Sequence, residues 1–156
     1  MNQTRRDIIK AGGGAGLLLL LAAAGMLRPE TADAADWNQK AFDAKTLKDA
    51  FDALGAGVRA NSTDVLMNAP EIAENGAVVP IGVQSKLQGT ESIAILIAKN
   101  PNPLAASFDI PAGTDAGVST RVKLAESSDV YVLVKAQGKY YATKKEIKVT
   151  IGGCGG

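Results

Sequence analysis

Three hydrophobic regimes follow one another along the chain. From Ala11 to Leu27 the residues are an uninterrupted run of Gly, Ala, Leu and one Met. Further on, Leu47, Ala50, Phe51 and Leu54 stand at i, i+3, i+4 and i+7, which predicts an amphipathic helix with Thr46 as its N-cap and Gly55 just past its end, starting upstream near Gln39. From Asp64 onward the period changes to short β-branched runs separated by turn residues. Strands are expected over 64–68, 78–84, 92–99, 105–110, 117–124, 128–136, 140–144 and 147–150.

The breaks between these runs have a mechanism. Glu74-Asn75-Gly76, Asn100-Pro101-Asn102-Pro103 and Pro111-Ala112-Gly113 supply residues suited to turns, and Gln137-Gly138 predicts a two-residue hairpin. Alternation assigns faces: Val118, Thr120, Val122 and Leu124 oppose Ser119, Arg121 and Lys123, while Ile147, Val149 and Ile151 oppose Lys148 and Thr150. No helical pattern separates the strands, which argues against a parallel α/β sheet. The expected fold is mainly β, an immunoglobulin-like antiparallel sandwich with an N-terminal helix.

The first regime sets the compartment. Thr4-Arg5-Arg6-Asp7-Ile8-Ile9-Lys10 is a twin-arginine pattern, the apolar run of 17 residues follows it, and Ala32-Asp33-Ala34 offers the small-x-small site of a signal peptidase. A membrane anchor is the alternative, but 17 weakly apolar residues lie at the short edge of what spans about 30 Å of hydrocarbon. Residues 1–34 are therefore expected to be a cleaved signal peptide, 35–151 the helix and sandwich domain, and 152–156 a flexible arm. The location expected is the periplasm, with no membrane attachment after cleavage. Because the twin-arginine route moves folded proteins, and the chain has no histidine for a metal or haem site, a co-exported partner subunit is expected in place of a cofactor.

Charge narrows the classes further. The leader takes four of the 17 Lys/Arg and three of the 16 Asp/Glu, leaving 13 of each. Nucleic acid, which wants a basic excess on one face, is excluded as a partner class. The 122 residues left after 34 of the 156 are removed make one ordinary domain, large enough to fold on apolar packing.

The candidate chemistry sits at the end of the last strand. Beyond Ile151 come Gly152, Gly153, Cys154, Gly155 and Gly156, and Cys154 is the only cysteine. Lacking Cβ atoms, the four glycines make a thin and conformationally free arm. Cys154 can stand roughly 10 Å from Ile151, at about 3.3 Å per extended residue. A glycine-rich end can be mere disorder. A prenylation signal would need the cysteine fourth from the end, and a dithiol redox enzyme would need a second one. A solvated thiol has a pKa of about 8.5, so only a few per cent is thiolate near neutrality. Without a histidine there is no Cys-His design, and activation would have to come from a partner's active site. A covalent handle acted on by other enzymes and an intermolecular disulfide in an exported interaction module both remain open.

Val149-Thr150-Ile151-Gly152-Gly153-Cys154-Gly155-Gly156 resembles the C-terminus of the SoxY family, the thiol-bearing subunit of a sulfur-oxidation carrier complex. Ala73-Glu74-Asn75-Gly76-Ala77-Val78-Val79-Pro80 and Lys99-Asn100-Pro101-Asn102-Pro103-Leu104 resemble that family's interior motifs, and the leader agrees with it. The resemblance implies a periplasmic heterodimer with a SoxZ-like subunit. It implies that Cys154 is the covalent attachment site and Gly152, Gly153, Gly155 and Gly156 its swinging arm. Docking to a c-type cytochrome, a sulfate-releasing hydrolase and a sulfur dehydrogenase is implied as well. The chain itself would be a carrier and no enzyme, with no catalytic residue, metal or cofactor. Two further groups read as ordinary structure: Lys45, Lys48, Asp49 and Asp52 as a solvated helix face, and Tyr140-Tyr141 as a pair divided between core and surface.

Overall fold

A computed structural model of the chain describes residues 38–151. The leader motif, the cleavage site and the Gly152–Gly156 arm with Cys154 lie outside the described residues. Among the described residues two helices, α1 (Gln39–Asp43) and α2 (Leu47–Ala53), precede nine strands: β1 (Ala60–Asn61), β2 (Val65–Asn68), β3 (Ile72–Asn75), β4 (Val79–Ser85), β5 (Thr90–Ile97), β6 (Leu104–Asp109), β7 (Gly117–Val122), β8 (Ser128–Ala136) and β9 (Lys139–Ile151).

The expected single helix is two. Asn38 caps α1 by accepting from the Ala41 N–H at 3.1 Å, and Thr46 caps α2 by accepting from the Asp49 N–H at 3.1 Å. Thr46 is the expected cap of α2, and its extended backbone, at φ −123° and ψ 151°, separates that helix from the residues near Gln39 that were expected to continue it. Five- and seven-residue helices do not stand alone in water. They persist because Ala41, Ala50 and Phe51 are buried on a sheet.

That sheet runs β1-β9-β8-β5-β6, with β3 also on β9; a second runs β2-β4-β7. Between them Val65, Val79, Ile81, Val83 and Val122 meet Ile93, Ile95, Ile97, Val130, Val132, Val134 and Ile147. On the outer face of the larger sheet Ala94, Leu96, Leu133 and Ala142 pack under the helices. Covered on both faces, β5 reads as an unbroken apolar run from Ile93 to Ile97, where a half-solvated strand would alternate. The fold is mainly β, an immunoglobulin-like sandwich with a helical layer outside one sheet.

Most pairing is antiparallel, as expected. Two short strands depart from it, since β1 and β3 both lie parallel to β9, at Ala60↔Tyr141 and at Ile72↔Lys148. The two runs expected at 140–144 and 147–150 are one strand of 13 residues. The charged stretch between them does not break it: Lys144 is exposed and binds Asp129 at 2.9 Å, and Lys145 reaches the Ala69 carbonyl at 2.7 Å. Gln137 and Gly138, at φ 50° and 69°, form the expected hairpin between β8 and β9. Tyr140 and Tyr141 divide between two cores, where core and surface had been expected. Tyr141 packs in the sandwich and Tyr140 under the helices, its hydroxyl donating to the Leu54 carbonyl at 2.7 Å.

Candidate functional site at the root of the C-terminal arm

β9 leads directly to the arm, and its last residues are held in an unusual way. Its ladder with β8 runs from Ala136↔Lys139 to Ser128↔Ile147 and stops there. Four more residues, Lys148 to Ile151, continue past the end of that partner. On one side β3 takes over, pairing Ile72, Ala73 and Asn75 with Lys148, Val149 and Ile151. On the side that β8 has left, the Ser127 hydroxyl accepts from the Val149 N–H at 2.9 Å and stands in for a ladder carbonyl. Thr150 adds a side-chain bond, its Oγ1 donating to the Glu74 carbonyl at 2.9 Å.

The segments that hold β9 are themselves fastened. Asn75 Oδ1 accepts from the Ala77 N–H at 2.8 Å, closing the turn after β3. The carbonyl of buried Gly76 accepts from the Leu124 N–H at 2.7 Å, tying this turn to the segment that follows β7. Asn100 then clasps that segment, donating from Nδ2 to the Lys123 carbonyl at 2.7 Å and accepting the Ala125 N–H on Oδ1 at 2.9 Å. Asn102, in the same loop, donates to the Phe42 carbonyl at 2.7 Å and accepts from Lys45 Nζ at 2.9 Å. Both interior motifs singled out in the sequence are thus structural clasps, and one branch of them ends beside Ile151.

Anchoring from below is apolar. Ile147 is fully buried and Val149 packs against the sandwich core, as the alternation predicts. Around the root the surface mixes signs: Lys148 stands opposite Ile72, and Lys99 pairs with Glu126 at 3.7 Å. Ile72 and Val78 are exposed apolar residues on this rim, at 59% and 55%.

Several charged and aromatic groups elsewhere among the described residues have partners where they stand. Arg59 lies 3.8 Å over the Phe51 ring, which meets Tyr131 edge-on at 5.8 Å, beside a groove of about 540 Å³ that Lys144 also lines. The Lys144 ammonium is held protonated above its usual range chiefly by its bond to Asp129. Lys48, Asp49 and Asp52 form a solvated face on α2, with Lys45 on the linker before it, as expected. Among the described residues no cluster of His, Cys, Asp or Glu could hold a metal, and no helix is long and apolar enough to cross a membrane.

The comparisons with known proteins bear on this tail. The family model "Sulfur oxidation protein SoxY" matches residues 51–154, from the buried Phe51 of α2 through Cys154. The chain belongs to the SoxY family. A solved structure of the sulfur carrier protein SoxY from Chlorobium limicola f thiosulfatophilum is 39% identical, covers 72% of this chain and 99% of that one, and superposes with a TM-score of 0.62. A superoxide reductase (neelaredoxin) from Ignicoccus hospitalis is 17% identical over 62% of this chain and 86% of that one, with a TM-score of 0.48, too remote to inform function. No curated protein matches. SoxY membership makes this chain one of a family of sulfur-oxidation carriers.

Sequence reasoning named the arm and the apolar face of the strand that anchors it, and missed the polar contacts and the partner strand at its root. Ser127 carried no motif, although a Ser-Ser pair just before a β-branched run can bond the strand it adjoins. β3 was missed because Ile72-Ala-Glu-Asn holds a single β-former.

Proposed function

We propose that the chain is a periplasmic carrier that holds thiosulfate-derived sulfur covalently on Cys154 and presents it to partner enzymes. The observation that carries this is the continuity of the SoxY match through Cys154, the only cysteine, three residues beyond a strand end fastened on both sides. Residues 1–34 act as the export signal, and a SoxZ-like subunit travels with the chain as its heterodimer partner. Gly152, Gly153, Gly155 and Gly156 give the thiol clearance to enter an active site on another protein.

In the first step the Cys154 thiolate joins the outer sulfur of thiosulfate. One S–S bond forms and two electrons pass to the haems of a c-type cytochrome, leaving Cys154–S–S–SO₃⁻. Water then attacks the sulfone sulfur in a hydrolase, releasing sulfate and two protons and leaving a persulfide. A sulfur dehydrogenase oxidises that remaining sulfur. The base and the electron acceptors belong to the partners, since the chain has no histidine.

Intact-mass analysis after exposure to thiosulfate and the cytochrome tests the reading. The expected product carries one thiosulfonate group on Cys154, removable by reductant. Plain thiol, or a disulfide-linked homodimer with no sulfur adduct, would instead mark an interaction module that uses the cysteine as a cross-link.

A further inference from the structure

We infer that Asn75, Asn100, Ser127 and Thr150 are positioning residues that fix the pivot of the arm at Ile151; the inference rests on the carrier reading above. The need for such a device comes from the topology. A strand that outruns its partner by four residues loses half its ladder there, and strand ends of that kind open locally at little cost. If 148–151 frayed, the pivot would have no fixed position.

At Val149 the lost ladder contact is replaced by a polar one, and the β3 side gains a second. Ser127 supplies the missing acceptor at Val149, and Thr150 ties its side chain to β3. From Asn100 the hydrogen bonds continue through 123–125 to the Gly76 carbonyl, and the turn closed by Asn75 places that residue opposite Ile151. Ser127 and Thr150 thus bond at the strand end directly, while Asn75 and Asn100 hold the turn and the segment beside it. The chain becomes glycine at the next residue.

The pivot sets both reach and efficiency. With Ile151 fixed, three residues carry the thiol and reach about 10 Å. If Val149 to Ile151 are released, six residues carry it. Effective concentration at a docked active site falls roughly as the −3/2 power of length, so doubling the arm costs about threefold. Partial ordering of a single added residue on entry is enough to raise the loss toward roughly tenfold.

The test uses the full chain with its partner subunit. Thr150→Val keeps the β-branched shape at an exposed position and removes only the bond to Glu74; Ser127→Ala removes the stand-in acceptor. In the double variant, amide exchange at Val149, Thr150 and Ile151 should accelerate while that at Ile93 and Val132 is unchanged. The kcat/KM for thiosulfate loading by the cytochrome should fall about three- to tenfold. Reaction of Cys154 with a small thiol reagent should stay at the native rate, and Ser127→Thr with Thr150→Ser should restore loading. Inserting three glycines after Ile151 in the native chain should reproduce the loss with protection at 149–151 intact. Unchanged exchange in the double variant, or fast exchange with native loading, would overturn the inference. If the native chain took up no sulfur at all, the carrier reading would fail, and the exchange data would still report on the brace.

Discussion

Ile147 sits where β9 passes from the cover of β8 to that of β3, fully buried in the sandwich core and paired with Ser128. Ile147→Ala removes three carbons. At about 0.8 kcal/mol each the transfer cost is roughly 2.4 kcal/mol, and the cavity left behind raises it to about 3–4 kcal/mol. Val149 points to the same core two residues later but is only partly buried. Val149→Ala removes two carbons that are partly exposed already, so about 1 kcal/mol is expected. Urea unfolding of the mature domain, followed by circular dichroism, should show midpoint shifts in that ratio with unchanged slopes. In heating experiments the Ile147 variant should melt roughly 10–15 °C lower. The apolar anchor of the arm would then be Ile147, with the polar bonds of the brace securing what lies beyond. If Ile147→Ala cost no more than Val149→Ala, the core would extend toward the arm and the brace would be superfluous.

Tyr140→Phe should leave the Leu54 carbonyl without its donor and lower stability by about 1–2 kcal/mol, read from denaturant midpoints, with faster amide exchange confined to α1 and α2. Glu91 is held below the usual carboxylate range by Lys135 first and then by the Gly138 N–H. Its contribution to stability is therefore present above its unfolded pKa and lost as pH falls through the folded one. Lys135 is raised by the same pair, and its part is lost only as pH rises past 10.5. The melting temperature of Glu91→Gln should accordingly lie below the native one near neutrality and converge with it in acid. Replacing Gly152 and Gly153 by Val should slow sulfur transfer while leaving melting unchanged; native turnover by that variant would remove the argument for a thin arm.

Alternation made the faces legible because each of β7, β8 and β9 has one face fixed by burial: Val122, Val130 and Ile147 point inward where period two places them. The 137–138 hairpin was legible for a local reason, since both positions need positive φ and glycine supplies one of them. What escaped the sequence depends on contacts between distant segments. The break between α1 and α2 is completed by Asn102, far along the chain, binding the Phe42 carbonyl, and no local pattern reports that. The parallel strand β3 gains its place from the end of β9, having little strand propensity of its own. Cys154 was conspicuous for its isolation, while Ser127 and Thr150 are common residue types whose role exists only once β9 has outrun β8.

The central claim is tested most directly by intact-mass analysis with peptide mapping of the native and Cys154→Ser chains after incubation with thiosulfate and the partner cytochrome. A single reductant-sensitive thiosulfonate group on Cys154 in the native chain, and none on a folded, partner-bound Cys154→Ser chain, is the result predicted. Sulfur loading that survives Cys154→Ser, or a native chain that remains plain thiol under the same conditions, would contradict it.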